Sequence, residues 1–371
     1  MKLMQELAEI IPGKAYNDVK VMVAMSGGVD SSTVAAYLHR VGYKVIGVTL
    51  QLHNNFTSTQ TNRKTCCAGS DIFDAKRVAA QFGFLHYVVN MEETFRKEVI
   101  ENFAESYLKG ETPVPCVKCN QTVKFRDLMK IAKSLSVDAL ATGHYVRRLT
   151  TTNGVELHKG IDPSKDQSYF LFNTTREQLE FLRFPLGNLK KSETRDLARK
   201  LSVDISEKPE SQDICFVNGK SYADVIKKFR PDAQRPGKIL STDGEVLGTH
   251  NGTIHYTIGQ RHGLQLSAPI PLYVVKIDAQ NNIIIVGTRD KLQQRSLYVK
   301  EVNWLDRKEL TAGLECEVKL RSGADTVKGY LYPNGELLKV SLAEEPKCAI
   351  APGQACVMYH GSKVLGGGWI V

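Results

Sequence analysis

The stretch Ala24-Met25-Ser26-Gly27-Gly28-Val29-Asp30-Ser31-Ser32 decides how this chain is read. Ahead of it, Val19-Lys20-Val21-Met22-Val23 is short, apolar and β-branched, the pattern of a buried strand. Behind it, Thr33-Val34-Ala35-Ala36-Tyr37-Leu38 has helical texture, with Gly42 just past its end. A strand, a glycine pair and a helix opening with Asp and Ser make an anion cradle. Gly27 and Gly28 let the backbone come close to a ligand, and the first helical N–H groups have no partner inside the helix. The helix dipole adds about half a positive charge at that end. Ser26, Ser31 and Ser32 supply hydroxyl donors, and Asp30 can help position Mg²⁺ on a polyphosphate. The bland alternative is a Gly/Ser-rich strand-to-helix turn that binds nothing. Strand, motif and helix arrive in the order a nucleotide loop requires, which favours the cradle.

The common phosphate loop, G-x-x-x-x-G-K-[ST], is absent. Gly219-Lys220-Ser221 lacks the earlier glycine because position 214 is Ile. Instead, S-G-G-x-D-S resembles the pyrophosphate loop of the N-type ATP pyrophosphatases. That resemblance implies a grip on the β,γ-phosphates of ATP as a leaving group and transfer of AMP to an oxygen.

At 371 residues the chain has room for two or three domains, and 42% hydrophobic with 24% charged residues is ordinary for a soluble protein. No apolar run approaches membrane-span length, and Met1 to Lys20 mixes charges and Pro with apolar residues, unlike a signal peptide. The expected location is cytoplasmic, with no membrane partner. A net charge of +9 suits a polyanionic partner, with the basic residues spread along the chain. Eight cysteines in such a compartment are expected to be mostly reduced, so pairs call for a chemical or metal explanation. Cys316, Cys348 and Cys356 lie in strand-like stretches and read as small core residues.

Strand and helix alternate through the first part. Lys44–Leu52, Phe84–Val89 and Asp138–Gly143 read as strands, and Ile72–Phe82, Glu92–Leu108, Gln121–Leu135 and Ser192–Ser202 as helices. A hairpin with Asn153-Gly154 at its turn follows the fourth strand. The pattern predicts an α/β catalytic domain built on a doubly wound parallel sheet over residues 1–207, with ligands at the carboxyl ends of the strands. From about Lys208, Pro and Gly break the chain into short pieces, a small mixed middle domain over 208–290 with Cys215 near its start. Residues 291–371 read as a β-rich, barrel-like C-terminal domain.

Cys119 and Cys215 are the sharpest chemical pair. Thr112-Pro113-Val114-Pro115-Cys116-Val117-Lys118-Cys119-Asn120 is a Pro-stiffened loop running into a helix, with Cys119 near the helix N-terminus beside Lys118 and Lys124, where a thiolate is favoured. Cys215 lies in Ser211-Gln212-Asp213-Ile214-Cys215-Phe216-Val217, a loop past the catalytic domain. Two unrelated buried cysteines are the plain alternative.

With these residues in view, the chain closely resembles the tRNA-specific 2-thiouridylase family, almost end to end. The resemblance rests on A-M-S-G-G-V-D-S-S, the T-P-x-P…C-N-x-x-x-K-F run at Thr112–Phe125, Ala141-Thr142-Gly143-His144-Tyr145, and Lys165-Asp166-Gln167-Ser168-Tyr169-Phe170-Leu171. It continues through Ile214-Cys215-Phe216, His255-Tyr256-Thr257-Ile258-Gly259-Gln260-Arg261-His262-Gly263-Leu264, Pro352-Gly353-Gln354 and Gly366-Gly367-Gly368. It implies an ATP-dependent sulfurtransferase that adenylates the C2 oxygen of the wobble uridine of a tRNA and replaces it with sulfur. By resemblance, Cys215 carries the sulfur as a persulfide and Cys119 is the second thiol, closing a transient disulfide with Cys215 that a reductant reopens. An upstream cysteine desulfurase or sulfur-carrier protein is implied as the donor.

The resemblance also assigns Ala24, Met25, Ser26, Gly27, Gly28, Val29, Asp30, Ser31, Leu50 and Gly143 to ATP, Leu50 being placed to pack on adenine. His144, Lys165, Asp166, Gln167, Arg321 and Gln354 match tRNA-contacting positions, the last two holding the tRNA while the base is flipped. One departure matters. Many relatives carry an acidic residue three positions before the first catalytic cysteine, where this chain has Cys116, so an acid/base role there does not carry over. The resulting C-x-x-C, with Cys215, offers three ligands for an iron–sulfur cluster or for zinc as an alternative to persulfide relay. Cys66-Cys67 can join either site or neither. The rival functions are an ATP-dependent ligase acting on a small molecule and a non-catalytic tRNA-binding protein.

Overall fold

The computed structural model describes residues 10–53, 69–209, 214–217 and 221–371. Its contacts divide the chain into two compact units, one of Met1–Glu98, Cys116–Asn218 and Ser362–Val364, the other of Val99–Pro115, Gly219–Gly361 and Leu365–Val371.

The first unit is built on a parallel sheet. Its strands are β1 (Lys20–Ala24), β2 (Lys44–Gln51), β3 (Leu85–Asn90), β4 (Ala139–Thr142) and the two-residue β7 (Leu182–Arg183), in the order β3-β2-β1-β4-β7. β1 is central, with Val21 opposite Val45 on one side and Ala139 on the other. Helices cover both faces of such a sheet, so Val21, Met22 and Val23 are fully buried, as an unbroken apolar run requires. The helix after β1 spans Val29–Val41 and ends on Gly42, which takes the left-handed conformation (φ 112°) and donates its N–H to His39 and Leu38. The hairpin β5 (Val146–Thr151) and β6 (Gly154–Lys159) stands where Asn153-Gly154 predicts it.

Two helices differ from their sequence reading. The single helix expected over Glu92–Leu108 is interrupted by a π-helical stretch, Arg96–Glu101. The helix expected from Gln121 begins instead at Pro115, runs to Cys119, widens into a π-helix over Asn120–Asp127 and resumes over Leu128–Ser134. Proline suits a first helical position because its missing N–H has no partner there anyway. A π-stretch with its i→i+5 bonds is rare, so a reading at the ordinary helical period does not anticipate it. β7 is too short to carry an alternation and was likewise not legible.

In the second unit, β8 (Gly237–Ser241), β9 (Val246–His250), β10 (Tyr273–Asp278) and β11 (Ile283–Gly287) form a mixed sheet in the order β10-β11-β8-β9. β12 (Ser296–Trp304), β13 (Leu314–Lys319), β14 (Val327–Asn334), β15 (Leu337–Leu342), β16 (Ala355–His360) and β17 (Lys363–Ile370) make a six-stranded antiparallel barrel, closed by pairing of β12 with β17. The closure depends on the glycine run. A Cβ on Gly366 would stand 2.4 Å from the Asn303 carbonyl oxygen, and one on Gly368 would stand 2.6 Å from that of Lys300. Cys316 and Cys356 lie in the barrel core, and burial pushes the Cys316 thiol up to about 12 and Cys356 higher as well. Half-buried Cys348 packs against the same core. Cys316 and Cys356 are core residues, as expected, whereas Cys348 lies in a bend outside the strands and only borders the core. Among the described residues no helix is long and apolar enough to cross a membrane.

His86 on β3 supports the end of β1. Thr49 Oγ1 donates to the Met25 carbonyl at 2.8 Å, so the His86 Nε2 that lies 2.8 Å from Thr49 Oγ1 must carry the proton and donate. Nδ1 is left as a bare acceptor, buried with no partner among the described residues. Burial, aided by the Lys76 charge, lowers the His86 pKa to about 4. Below its ordinary value the unfolded chain takes a proton that the folded chain refuses. Stability present above about pH 6.5 is therefore lost as pH falls toward about 4. The urea midpoint should drop between about pH 7 and about pH 5, and drop less in His86→Gln, whose amide donates to Thr49 without titrating.

Candidate active site

The cradle is assembled at the carboxyl end of β1. The Met25 N–H donates to Val48 at 2.8 Å and keeps the strand end on β2. The chain then turns through Gly27, at φ 73°, and Gly28, which is extended and caps the helix without a side-chain bond. The Ser26 N–H donates to Ser31 Oγ at 3.0 Å, folding the loop back on the first helical turn. Among the described residues nothing accepts from the N–H groups of Gly27 or Gly28. Two glycine N–H groups with no acceptor among the described residues, beside a helix N-terminus, have the geometry to seat an anion. Gly143, after β4, closes the other side. A Cβ there would meet Ser31 N at 2.8 Å and the Asp30 carbonyl carbon at 3.0 Å. Leu50 is buried on β2.

Asp30 does not stand alone. Lys191 Nζ donates to both its carboxylate oxygens, at 2.7 and 2.8 Å, and the Tyr145 hydroxyl donates to Oδ1 at 2.8 Å. The same hydroxyl lies 2.9 Å from Thr194 Oγ1. Lys191 is 8% exposed and opens the helix Lys191–Lys200. A buried ammonium group calls for such a hydrogen-bonded partner. Tyr145 belonged to a motif read from the sequence, but Lys191 did not, since nothing local links it to a carboxylate 161 positions away.

The two cysteines belong to the same unit. Cys119 is buried in the helix that starts at Pro115, whereas Cys116, in the first turn, is exposed. Because that helix starts six residues earlier than expected, the first-turn position belongs to Cys116 and Cys119 closes the turn. Asn120 follows at the onset of the π-stretch and donates through Nδ2 to the Phe170 carbonyl at 3.2 Å, tying the Cys119 segment to the Lys165–Leu171 motif. The Oδ1 of Asn120 is buried with no partner among the described residues. Cys215 is half-buried in the turn Ile214–Val217, closed by Val217 N–H on Ile214 at 3.0 Å. Phe216 meets Phe95 edge to face at 5.9 Å, and Val217 is buried. Contacts group this turn with the parallel-sheet unit, although the change in composition falls near Lys208. Cys66, Cys67 and Ser211–Asp213 lie outside the described residues. Among the described residues no three His, Cys, Asp or Glu side chains form a metal-ligand group, so Cys116, Cys119 and Cys215 are not gathered around one point.

Of the positions matched to tRNA contacts, His144 packs edge to face between Phe125 and Phe184, with Nδ1 2.7 Å from Thr142 Oγ1. Burial, with Lys124 nearby, lowers its pKa to about 3, so it is neutral at physiological pH. Asp166 accepts from Gly160 N, Ser168 N and Ser168 Oγ and so ties its own loop together, while Gln167 accepts from the Tyr145 N–H at 2.9 Å and holds the loop that carries His144 and Tyr145. Lys165 N–H closes the preceding turn on Asp162. In the second unit, Arg321 Nη2 donates to Ile258 at 3.3 Å. Gln354 Nε2 donates to the Thr112 carbonyl at 2.7 Å, while the Thr112 N–H donates to Pro352 at 2.7 Å. Pro352-Gly353-Gln354 thus clamps the loop that leads toward Cys119.

The family descriptions that match are "tRNA methyl transferase HUP domain" over residues 19–219, "tRNA methyl transferase PRC-barrel domain" over 223–288 and "Aminomethyltransferase beta-barrel domain" over 294–370. A tRNA-specific 2-thiouridylase MnmA of Orientia tsutsugamushi is 54% identical over 358 residues, 96% of each chain. That of Anaplasma marginale is 51% identical over 98% of this chain and 94% of its own. The chain belongs to the tRNA-specific 2-thiouridylase MnmA family. The likeness runs through both units, so the sheet, the mixed middle sheet and the barrel of this thiouridylase-family chain are family features rather than local additions.

Gly143→Ala should push backbone against backbone at the mouth of the cradle, costing about 1–3 kcal/mol of stability. ATP affinity should fall in parallel, checked by thermal unfolding with and without nucleotide.

Proposed function

We propose that this chain is an ATP-dependent tRNA 2-thiouridylase that adenylates the C2 oxygen of the anticodon wobble uridine and replaces it with sulfur from a persulfide on Cys215. One observation carries this reading. A single compact unit holds an anion cradle at the end of a parallel strand together with Cys119 and Cys215, in a chain 51–54% identical to 2-thiouridylases.

The uridine O2 attacks the α-phosphorus of ATP, an O–P bond forms, and pyrophosphate leaves with the electron pair of the broken P–O bond. The N–H groups of Gly27 and Gly28, which have no acceptor among the described residues, receive the departing charge together with the start of the helix Val29–Val41. Asp30 suits Mg²⁺ accompanying ATP, which would supply charge neutralisation on the phosphates. Both Asp30 oxygens accept from Lys191, so a metal there would displace the ammonium, leaving Lys191 able to meet a phosphate. The terminal sulfur of the Cys215 persulfide then attacks C2. The Cys119 thiolate attacks the inner sulfur, the S–S bond of the persulfide breaks, AMP leaves from C2, and a Cys119–Cys215 disulfide remains. An external dithiol, or two thiols in turn, returns two electrons through a mixed disulfide, reopens it and is itself oxidised to a disulfide. The sulfur comes from a cysteine desulfurase or a sulfur-carrier protein, and the reaction belongs in the cytoplasm, where thiols stay reduced. No step is routed through a metal at Cys116. Within this reading residues 1–207, 208–290 and 291–371 form the catalytic, middle and tRNA-holding domains, the last through Arg321 and Gln354.

The test is tRNA-dependent pyrophosphate release. Asp30→Ala should lose release by about a hundredfold or more while tRNA still binds, because tRNA affinity is spread over many phosphate contacts. Unchanged release would remove the loop from the chemistry. Cys215→Ser should release pyrophosphate in the presence of tRNA yet give no thiolated nucleoside, measured by mass spectrometry of digested tRNA, since a hydroxyl cannot carry sulfane sulfur. Thiolation by Cys215→Ser would exclude it as the carrier.

A further inference from the structure

Lys208 lies outside every motif described above, yet its ammonium touches the nucleotide loop. Nζ donates to the Gly27 carbonyl at 2.9 Å, to Asp71 Oδ1 at 2.5 Å and to Asp74 Oδ2 at 2.6 Å. All three of its N–H bonds are thereby used. Asp71 is buried, and Asp74 is further paired with Arg77 at 3.3 Å. Burial opposes the charge on Lys208, but the hydrogen bonds and charges of Asp71 and Asp74 outweigh it and hold its pKa above the ordinary lysine value. The ammonium is therefore a fixed donor, already neutralised by its own carboxylates and not available to a phosphate.

Its third acceptor has a particular consequence. The peptide joining Gly27 to Gly28 is planar and trans, so its C=O and N–H point in opposite directions. With the carbonyl turned toward Lys208, the Gly28 N–H faces away from the Lys208–Asp71–Asp74 cluster, and nothing among the described residues accepts from it. A peptide between two glycines flips at small cost, because neither flanking residue has a Cβ to resist it. Once flipped, it would present a carbonyl dipole where the cradle needs an N–H. Gly27 is also pressed onto the helix Gly69–Phe82, whose Asp71 carbonyl oxygen would lie 2.1 Å from any Cβ on Gly27. Asp71 thus touches the loop twice, through its backbone and through Lys208.

We propose that Lys208 is a positioning residue for the nucleotide, locking the Gly27–Gly28 peptide so that the Gly28 N–H stays available to the polyphosphate. This rests on the reading of the loop as a nucleotide cradle. It differs from a general structural role in predicting a loss confined to the phosphate end of the ligand. Calorimetry of the full chain with inorganic pyrophosphate, ATP and adenosine separates the two. Lys208→Met should weaken pyrophosphate and ATP binding by about tenfold or more, leave adenosine and tRNA binding unchanged, and be rescued in large part by Lys208→Arg, which keeps a cationic donor. Should Lys208→Met fail to fold, Asp74→Asn takes its place, since it loosens the ammonium without removing it, and is expected to lose affinity in the same selective way. Pyrophosphate affinity within about twofold of wild type in a folded variant, or an equal loss for adenosine and pyrophosphate, would overturn the proposal. Absence of ATP binding by the wild-type protein would instead strike at the nucleotide reading itself.

Discussion

The structure around the cradle depends on backbone approaching backbone with no Cβ between. Gly27 lies against the Asp71 carbonyl and Gly143 against the first turn of the helix Val29–Val41, each closer than a side chain allows. Gly47, in the neighbouring strand, leaves space where a Cβ would fall 2.7 Å from Met25 Sδ and 3.0 Å from His86 Cδ2. This steric constraint brings the end of β1, the end of β4 and the start of two helices within hydrogen-bond reach of each other. Only then can a carboxylate from one element meet an ammonium from another.

A buried lysine, Lys191, and a half-buried one, Lys208, exploit that approach in different ways. Lys191 neutralises Asp30 inside the cradle, and Lys208 is neutralised outside it by Asp71 and Asp74. A part-buried pair of this kind adds little net stability over an apolar substitute, but removing one partner leaves the other charge without its counterion. Such pairs fix geometry more than they stabilise. Here they fix the orientation of a loop whose two glycines would otherwise leave it loose.

The second unit gives the same lesson with neutral groups. Gly353, at φ 83°, approaches the Glu111 Cβ to within 2.8 Å of where its own Cβ would lie, and Thr112 is held by Pro352 and Gln354 through both its N–H and its carbonyl. A motif near the C-terminus therefore sets the path of the loop that runs toward Cys119, whatever else Gln354 contacts.

Local chemistry was legible in the sequence. The β-branched run of β1, the glycine pair, the capping Gly42 and the alternating strands of the barrel each follow from nearest neighbours along the chain, and so the parallel sheet and the β-rich C-terminal region could be read directly. The core status of Cys316 and Cys356 followed from strand alternation in the same way. The π-helical stretches, the start of the helix at Pro115 and the two-residue β7 were not legible, because π-stretches are rare and a short helix start or a two-residue strand is too brief to show a period of its own. Lys191 and Lys208 were least legible of all. Each is an ordinary lysine by its neighbours, and its partner lies more than a hundred positions away. Sequence alone determined where the cradle lies, since backbone conformation there is set by glycine and helix-start chemistry. Only the tertiary structure decided which charges face it, because a long side chain's partner is chosen by packing between elements and leaves no periodic trace.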